Sequence, residues 1–201
     1  MARVILTGIK PTGEPHLGNY LGAIKPALNI AAENPGAKKY FFIADYHALT
    51  ANPSQKILSS NTFNAVCDFL ALGLSPDETT FWVQSDVPEV TELSWILSSQ
   101  TSVGLMDRST TYKDKIAKGL KPNMGLYSYP ILMAADILLF KSNLVPVGKD
   151  QKQHIEMARD IANRFNANYG DVFILPEPDI VEETQIVPGV DGQKMSKSYN
   201  N

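Results

Sequence analysis

Pro11-Thr12-Gly13-Glu14-Pro15-His16-Leu17-Gly18-Asn19 and, far downstream, Lys194-Met195-Ser196-Lys197-Ser198 are the stretches of this 201-residue sequence best equipped to handle phosphate. The first follows the apolar run Val4-Ile5-Leu6-Thr7, which reads as a buried strand, and it opens a helical pattern from Leu17 to about Ala32. Strand, glycine-bearing loop and helix in that order present backbone N–H groups and the positive end of a helix to an anion. Gly13 and Gly18 leave room for a phosphate to approach the main chain. His16 and Asn19, three apart, share a face of the first helical turn and add two side-chain donors. The second stretch supplies mobile positive charge, with Lys194 and Lys197 among small hydroxyl residues after the turn Gly189-Val190-Asp191-Gly192. A lysine clamp of this kind can follow the charge that builds on a departing pyrophosphate when a carboxylate attacks the α-phosphate of ATP. Alone, a Pro/Gly loop is usually a turn and a lysine loop a solvated surface. Together the two read as an ATP site.

A different chemistry sits mid-chain, in Tyr127-Ser128-Tyr129-Pro130-Ile131-Leu132-Met133-Ala134-Ala135-Asp136-Ile137-Leu138-Leu139-Phe140. The run reads as a helix beginning at Pro130, since proline is tolerated at a first helical position. Tyr129, Met133, Asp136 and Phe140 then fall on one stripe, which puts a carboxylate on an otherwise apolar face. A core helix with Asp136 at its margin is one reading, because Asp is rarely buried unless paired. The other is an aromatic pocket with one inward acceptor, suited to a ring carrying a single N–H donor such as the indole of tryptophan.

The loop and the lysine string together resemble the class I aminoacyl-tRNA synthetases, whose two signatures are named for His-Ile-Gly-His and Lys-Met-Ser-Lys-Ser. The last position of the first signature is Asn19 here, as in one branch of the class. Met133-Ala134-Ala135-Asp136 resembles the tryptophanyl members, in which the Asp receives the indole N–H, and the tyrosyl members carry different residues there. Val145-Pro146-Val147-Gly148-Lys149-Asp150-Gln151-Lys152-Gln153-His154-Ile155-Glu156 is similar to the family's strand-to-helix turn at the ribose and the amino acid. The resemblance runs in register from Thr7 to Asn200.

The resemblance implies that Lys10, Pro11 and Thr12 line the adenine and phosphate side, with Gly18 and Asn19 at the helix start. It further implies Gly148, Lys149 and Asp150 at the ribose, Ile186 at the adenine, and Lys194, Met195, Ser196, Lys197 and Ser198 closing over the pyrophosphate. Asp136 would take the indole N–H, with Tyr129, Met133, His47, Gln151, Leu6 and Ala44 around the amino acid. The implied reaction is tryptophan adenylation by in-line attack on ATP, with Mg²⁺ on the phosphates, followed by transfer to tRNA(Trp). His16, Asn19, Lys194 and Lys197 serve the transition state, and no general base or covalent intermediate is needed, because positioning and electrostatics suffice. Homodimers are the family's habit, and residues 1–201 would be its catalytic domain, with the helical anticodon-binding domain lying beyond Asn201. Many members have Gln where Lys10 and Tyr46 stand here.

Around these residues the sequence alternates. Strands are expected near 3–8, at Tyr40–Ile43, Thr80–Gln84 and Leu144–Val147, and near Val172–Leu175. Helices are expected near 18–33, 54–72, 87–99, 130–140 and 150–165. Such alternation gives a doubly wound parallel α/β sheet of Rossmann type, with ligands at the carboxyl ends of its strands. A hydrophobic content of 44% is enough for one full core, and a net charge of −3 leaves no broad basic footprint for RNA. Lys113, Lys115, Lys118 and Lys121 form a local basic run, readable as a solvated face or as a phosphate contact. The single Cys67 excludes an internal disulfide, and three scattered histidines give no metal site. A chain without a signal peptide or a long apolar run is expected to be cytoplasmic, away from membranes. The rival readings are a tyrosyl-tRNA synthetase, a nucleotidylyltransferase of the same fold, and a non-catalytic ligand-binding fragment.

Overall fold

Four largely apolar runs and one acidic edge segment build a sheet of parallel strands, β1 (Val4–Ile9), β2 (Lys38–Ile43), β3 (Thr80–Val83), β4 (Leu144–Val147) and β5 (Glu177–Ile180), in the order β3-β2-β1-β4-β5. The computed structural model describes residues 3–13, 15–117, 119, 121–148, 151–180, 189–192 and 195. β1 is central, and its Ile5 and Leu6 are buried as expected of a strand covered on both faces. The strand order grows one way from β1 through β2 to β3, then returns to β4 and β5, so the switch lies between β1 and β4.

Helices cover both faces. On one, α1 (Leu17–Asn19), a π-helical turn at Tyr20–Ile24, α2 (Lys25–Glu33) and α4 (Gln55–Ala71) enclose Ile24, Ala27, Phe41, Ile43 and Phe69. On the other, α5 (Glu89–Gln100), α6 (Val103–Met106), α8 (Met124–Leu139) and α9 (Lys152–Tyr169) enclose the larger core around Leu97, Leu138 and Ile155. The single-turn α3 (Asp45–Ala48) follows β2, and α7 (Thr110–Ala117) precedes α8. Among the described residues no helix is long and apolar enough to cross a membrane.

Two expectations are corrected. α8 starts at Met124 rather than Pro130, because Asn123 caps it, its Oδ1 accepting the Leu126 N–H at 2.8 Å. Pro130 therefore sits inside the helix. It removes a donor there, and the burial of Leu126, Pro130, Ile131, Ala134 and Ile137 outweighs that loss. The apolar segment 172–175 is not a strand. The Asn166 side chain takes the N–H groups of Val172 and Phe173 at 3.2 and 2.9 Å, while Phe173 packs on Phe165. The fifth strand is instead Glu177–Ile180, an edge strand that carries a proline, where a missing N–H is tolerated.

Candidate active site

The carboxyl ends of β1 and β4 part at the switch in strand order and open a cavity of about 590 Å³, walled by α8. Leu6, Lys10, Ala44, His47, Tyr129, Met133, Asp136, Gly148 and Gln151 line it, so nine residues singled out from sequence meet in one place. Phe140 leaves the stripe, packing on Trp82 and Tyr40 at ring distances of 4.8 and 5.4 Å. An α8 that begins at Met124 still presents Tyr129, Met133 and Asp136 on one face, which is why the periodicity survived a wrong helix start.

Asp136 is only 3% exposed. Its Oδ2 lies 2.8 Å from the Nε2 of His47, and its Oδ1 accepts the Nε2 of Gln84 at 2.7 Å. A carboxylate only accepts, so Nε2 of His47 carries a proton. Burial pushes the Asp136 carboxyl above its ordinary range, while hydrogen bonds from His47 and Gln84 and the charge of His47 oppose the push and Asp45 adds to it. Gln84 is a further residue of the site, not singled out by its sequence. It follows β3 as the first residue of a 3-10 turn, Gln84–Asp86, where the expected strand was drawn one residue too long. Its place at the carboxyl end of a parallel strand, where ligands bind, was the one weak signal in the sequence.

Tyr129 hydrogen-bonds through its hydroxyl to Nε2 of His154, whose Nδ1 lies 2.9 Å from Oε1 of Gln151. His154, 1% exposed, is thus packed against two cavity residues. Phe42, stacked on Trp82 at 5.4 Å and 19°, also lines the cavity. Its ring covers Gly8 so closely that a Cβ there would lie 2.3 Å from Cζ.

The glycine loop forms a separate, smaller cavity of about 100 Å³, lined by Lys10, Pro11, Thr12, Gly13 and Asn19 among others. Gly13 has φ +91°, a conformation that favours glycine. His16 and Asn19 cap each other reciprocally, with His16 Nδ1 accepting the Asn19 N–H and Asn19 Oδ1 accepting the His16 N–H, both at 3.2 Å. The ring proton of His16 then sits on Nε2, so each side chain keeps one donor group, an N–H on His16 and an NH₂ on Asn19. Gly18 lies within α1. Lys10 donates to Thr50 Oγ1 at 3.0 Å, and that hydroxyl donates to the His47 carbonyl at 2.8 Å, tying the loop to α3. Lys149, Asp150, Ile186, Lys194, Ser196, Lys197 and Ser198 lie outside the described residues, and Met195 is half-buried. Among the described residues no cluster of three or more His, Cys, Asp or Glu could hold a metal ion.

The family model described as "tRNA synthetases class I (W and Y)" matches residues 2–201. The chain belongs to that family. It is 56% identical over 197 residues to a tryptophan–tRNA ligase from Fusobacterium nucleatum, covering 98% of this chain and 60% of that relative. Among solved structures, the tryptophanyl-tRNA synthetase of Campylobacter jejuni complexed with ADP and tryptophan is 52% identical, with a TM-score of 0.93 over 98% of this chain and 61% of that one. The enzyme from Mycoplasma pneumoniae is 34% identical, with a TM-score of 0.85, over 98% of this chain and 59% of that one. The chain thus spans about 60% of the length of these relatives.

Proposed function

We propose that this chain is the catalytic portion of a tryptophan–tRNA ligase, which activates tryptophan with ATP and transfers the product to tRNA(Trp). The observation that carries the reading is Asp136, a buried acceptor held by two donors at the wall of a cavity large enough for an amino acid. The similar proteins from Fusobacterium nucleatum and Campylobacter jejuni are a tryptophan–tRNA ligase and a tryptophanyl-tRNA synthetase, which supports it.

In this reading the indole N–H donates to Asp136, while Met133, Leu6 and Ala44 surround the ring, and Tyr129, Gln151 and His47 complete the amino-acid pocket. Thr7, whose buried hydroxyl finds no partner among the described residues, lines the same cavity and is available to the ligand. ATP lies across the β1 and β4 ends. Lys10, Pro11, Thr12, Gly18 and Asn19 are on its phosphate side, Gly148, Lys149 and Asp150 at the ribose and Ile186 at the adenine. His16, Asn19, Lys194 and Lys197 stabilise the pentacoordinate phosphorus, with Met195, Ser196 and Ser198 completing the closing loop. The tryptophan carboxylate attacks the α-phosphorus and pyrophosphate leaves. Mg²⁺ enters with the triphosphate, since a hard cation of this kind is bound chiefly through phosphate oxygens.

A cytoplasmic location follows from the same role. A second copy of the chain would cover the exposed Trp95, Val103 and Met124 of α5, α6 and α8, giving a homodimer. The reading is tested by exchange of labelled pyrophosphate into ATP with each of the twenty amino acids, and aminoacylation of tRNA(Trp). Exchange driven by tryptophan alone is expected, and equal exchange with tyrosine overturns it.

A further inference from the structure

We propose that Gln84 is a specificity-positioning residue, which aims the Asp136 carboxylate so that the pocket accepts one N–H donor; this rests on the reading of Asp136 as the indole's partner. Gln84 is 1% exposed, and both ends of its amide are engaged. Its Oε1 accepts the backbone N–H of Tyr46 at 3.1 Å. A backbone N–H can only donate, so the amide cannot be reversed, and Nε2 must face Asp136 Oδ1, 2.7 Å away.

The turn bearing Gln84 is itself fixed. Asp45 Oδ1 accepts the Ser85 N–H at 3.0 Å, so α3 holds the turn at two successive residues. The next residue of α3, His47, reaches the other oxygen of Asp136. Three consecutive residues of one helical turn thus determine where the carboxylate lies and which donors it already has. Each oxygen keeps lone-pair capacity beyond its single donor. A donor from the cavity completes the set, whereas a group without one leaves a buried charge under-satisfied.

Loss of the Gln84 amide should therefore penalise ligands only in proportion to their use of the carboxylate. The test measures dissociation constants for tryptophan and for its benzothiophene analogue, in which sulfur replaces the indole N–H, on the intact chain and on Gln84→Met. The variant is expected to bind tryptophan about tenfold more weakly, because a carboxylate no longer held through Oδ1 meets the indole N–H with poorer geometry, and the sulfur analogue within about threefold of wild type. Equal weakening of both ligands makes Gln84 a merely structural residue, and no weakening of either removes its role; each overturns the proposal. Should Gln84→Met fail to fold, Gln84→Leu and Gln84→Asn are put through the same comparison, and a common loss for both ligands in whichever variant folds has the same meaning. If the wild-type chain binds tryptophan no better than the sulfur analogue, the reading of Asp136 itself fails, which is distinguishable because no variant is needed to see it.

Discussion

The two ends of the candidate site are built differently. At the amino-acid end, Asp136, His47 and Gln84 come from three separate elements and are held by short hydrogen bonds inside the core. At the phosphate end, Pro11, Thr12, Gly13, Pro15 and Asn19 line a small cavity, with a positive-φ glycine and a reciprocal cap as its fixed points. Under the proposed function the difference fits the two tasks. Selecting among similar side chains needs a rigid polar group whose partners are already in place. Following charge onto a leaving pyrophosphate needs groups that can move with it.

Removing the buried end's central group is the severest way to break this division. Asp136→Ala should lower kcat/KM for tryptophan in adenylate formation by roughly 2–4 kcal/mol, mostly through KM, because a buried N–H loses its acceptor. An unchanged KM would mean that the indole does not meet this carboxylate. At the other end, Lys194→Ala and Lys197→Ala should each lower kcat about a hundredfold with a smaller change in ATP Kd, as expected for charge stabilisation confined to the transition state. Equal losses in affinity and rate, measured by single-turnover kinetics and equilibrium binding, would make the lysines ordinary phosphate ligands and erase the contrast.

A smaller effect sharpens the claim of rigidity. Gly8→Ala would drive a methyl group into the Phe42 ring, which is held by its stack on Trp82 and cannot retreat cheaply. Unfolding in urea should show a loss of about 1–3 kcal/mol, and a neutral result would mean that this wall yields.

The smallest expected effect is on pH. Burial holds the Asp136 carboxyl above the ordinary value of 3.8, so the folded state binds its proton more tightly than the unfolded chain does. The buried charge thus costs stability at neutral pH, and the cost is relieved as pH falls through the raised pKa. Tryptophan affinity should move the opposite way, declining as protonation removes an acceptor, with a midpoint above 3.8. Titration calorimetry across that range checks it, and a flat profile would place the carboxylate outside the ligand's reach.

The sequence made one end more legible than the other. Asp136 stood out because a carboxylate on an apolar stripe breaks a pattern, and the glycine loop because its spacing is unusual. Gln84 had no such signature: one amide after a strand becomes meaningful only when Tyr46 and Asp136 arrive on either side of it. The start of α8 was misplaced because Pro130 is a good first helical residue locally, whereas the Asn123 cap and the burial of the preceding turn decide the matter globally. The strand Glu177–Ile180 was hidden for a related reason. Its acidic, proline-bearing sequence is tolerated only because β4 offers an edge, and Arg159 ties Pro176 and Glu177 beside it.

The central claim is that a preorganised carboxylate reads the indole N–H, and a crystal structure of the chain with bound tryptophan tests it most directly. The indole nitrogen should lie about 2.7–3.2 Å from an oxygen of Asp136, with His47 and Gln84 still in place on the same carboxylate. An indole oriented away from Asp136, or a carboxylate that has given up either donor to receive it, would contradict the account.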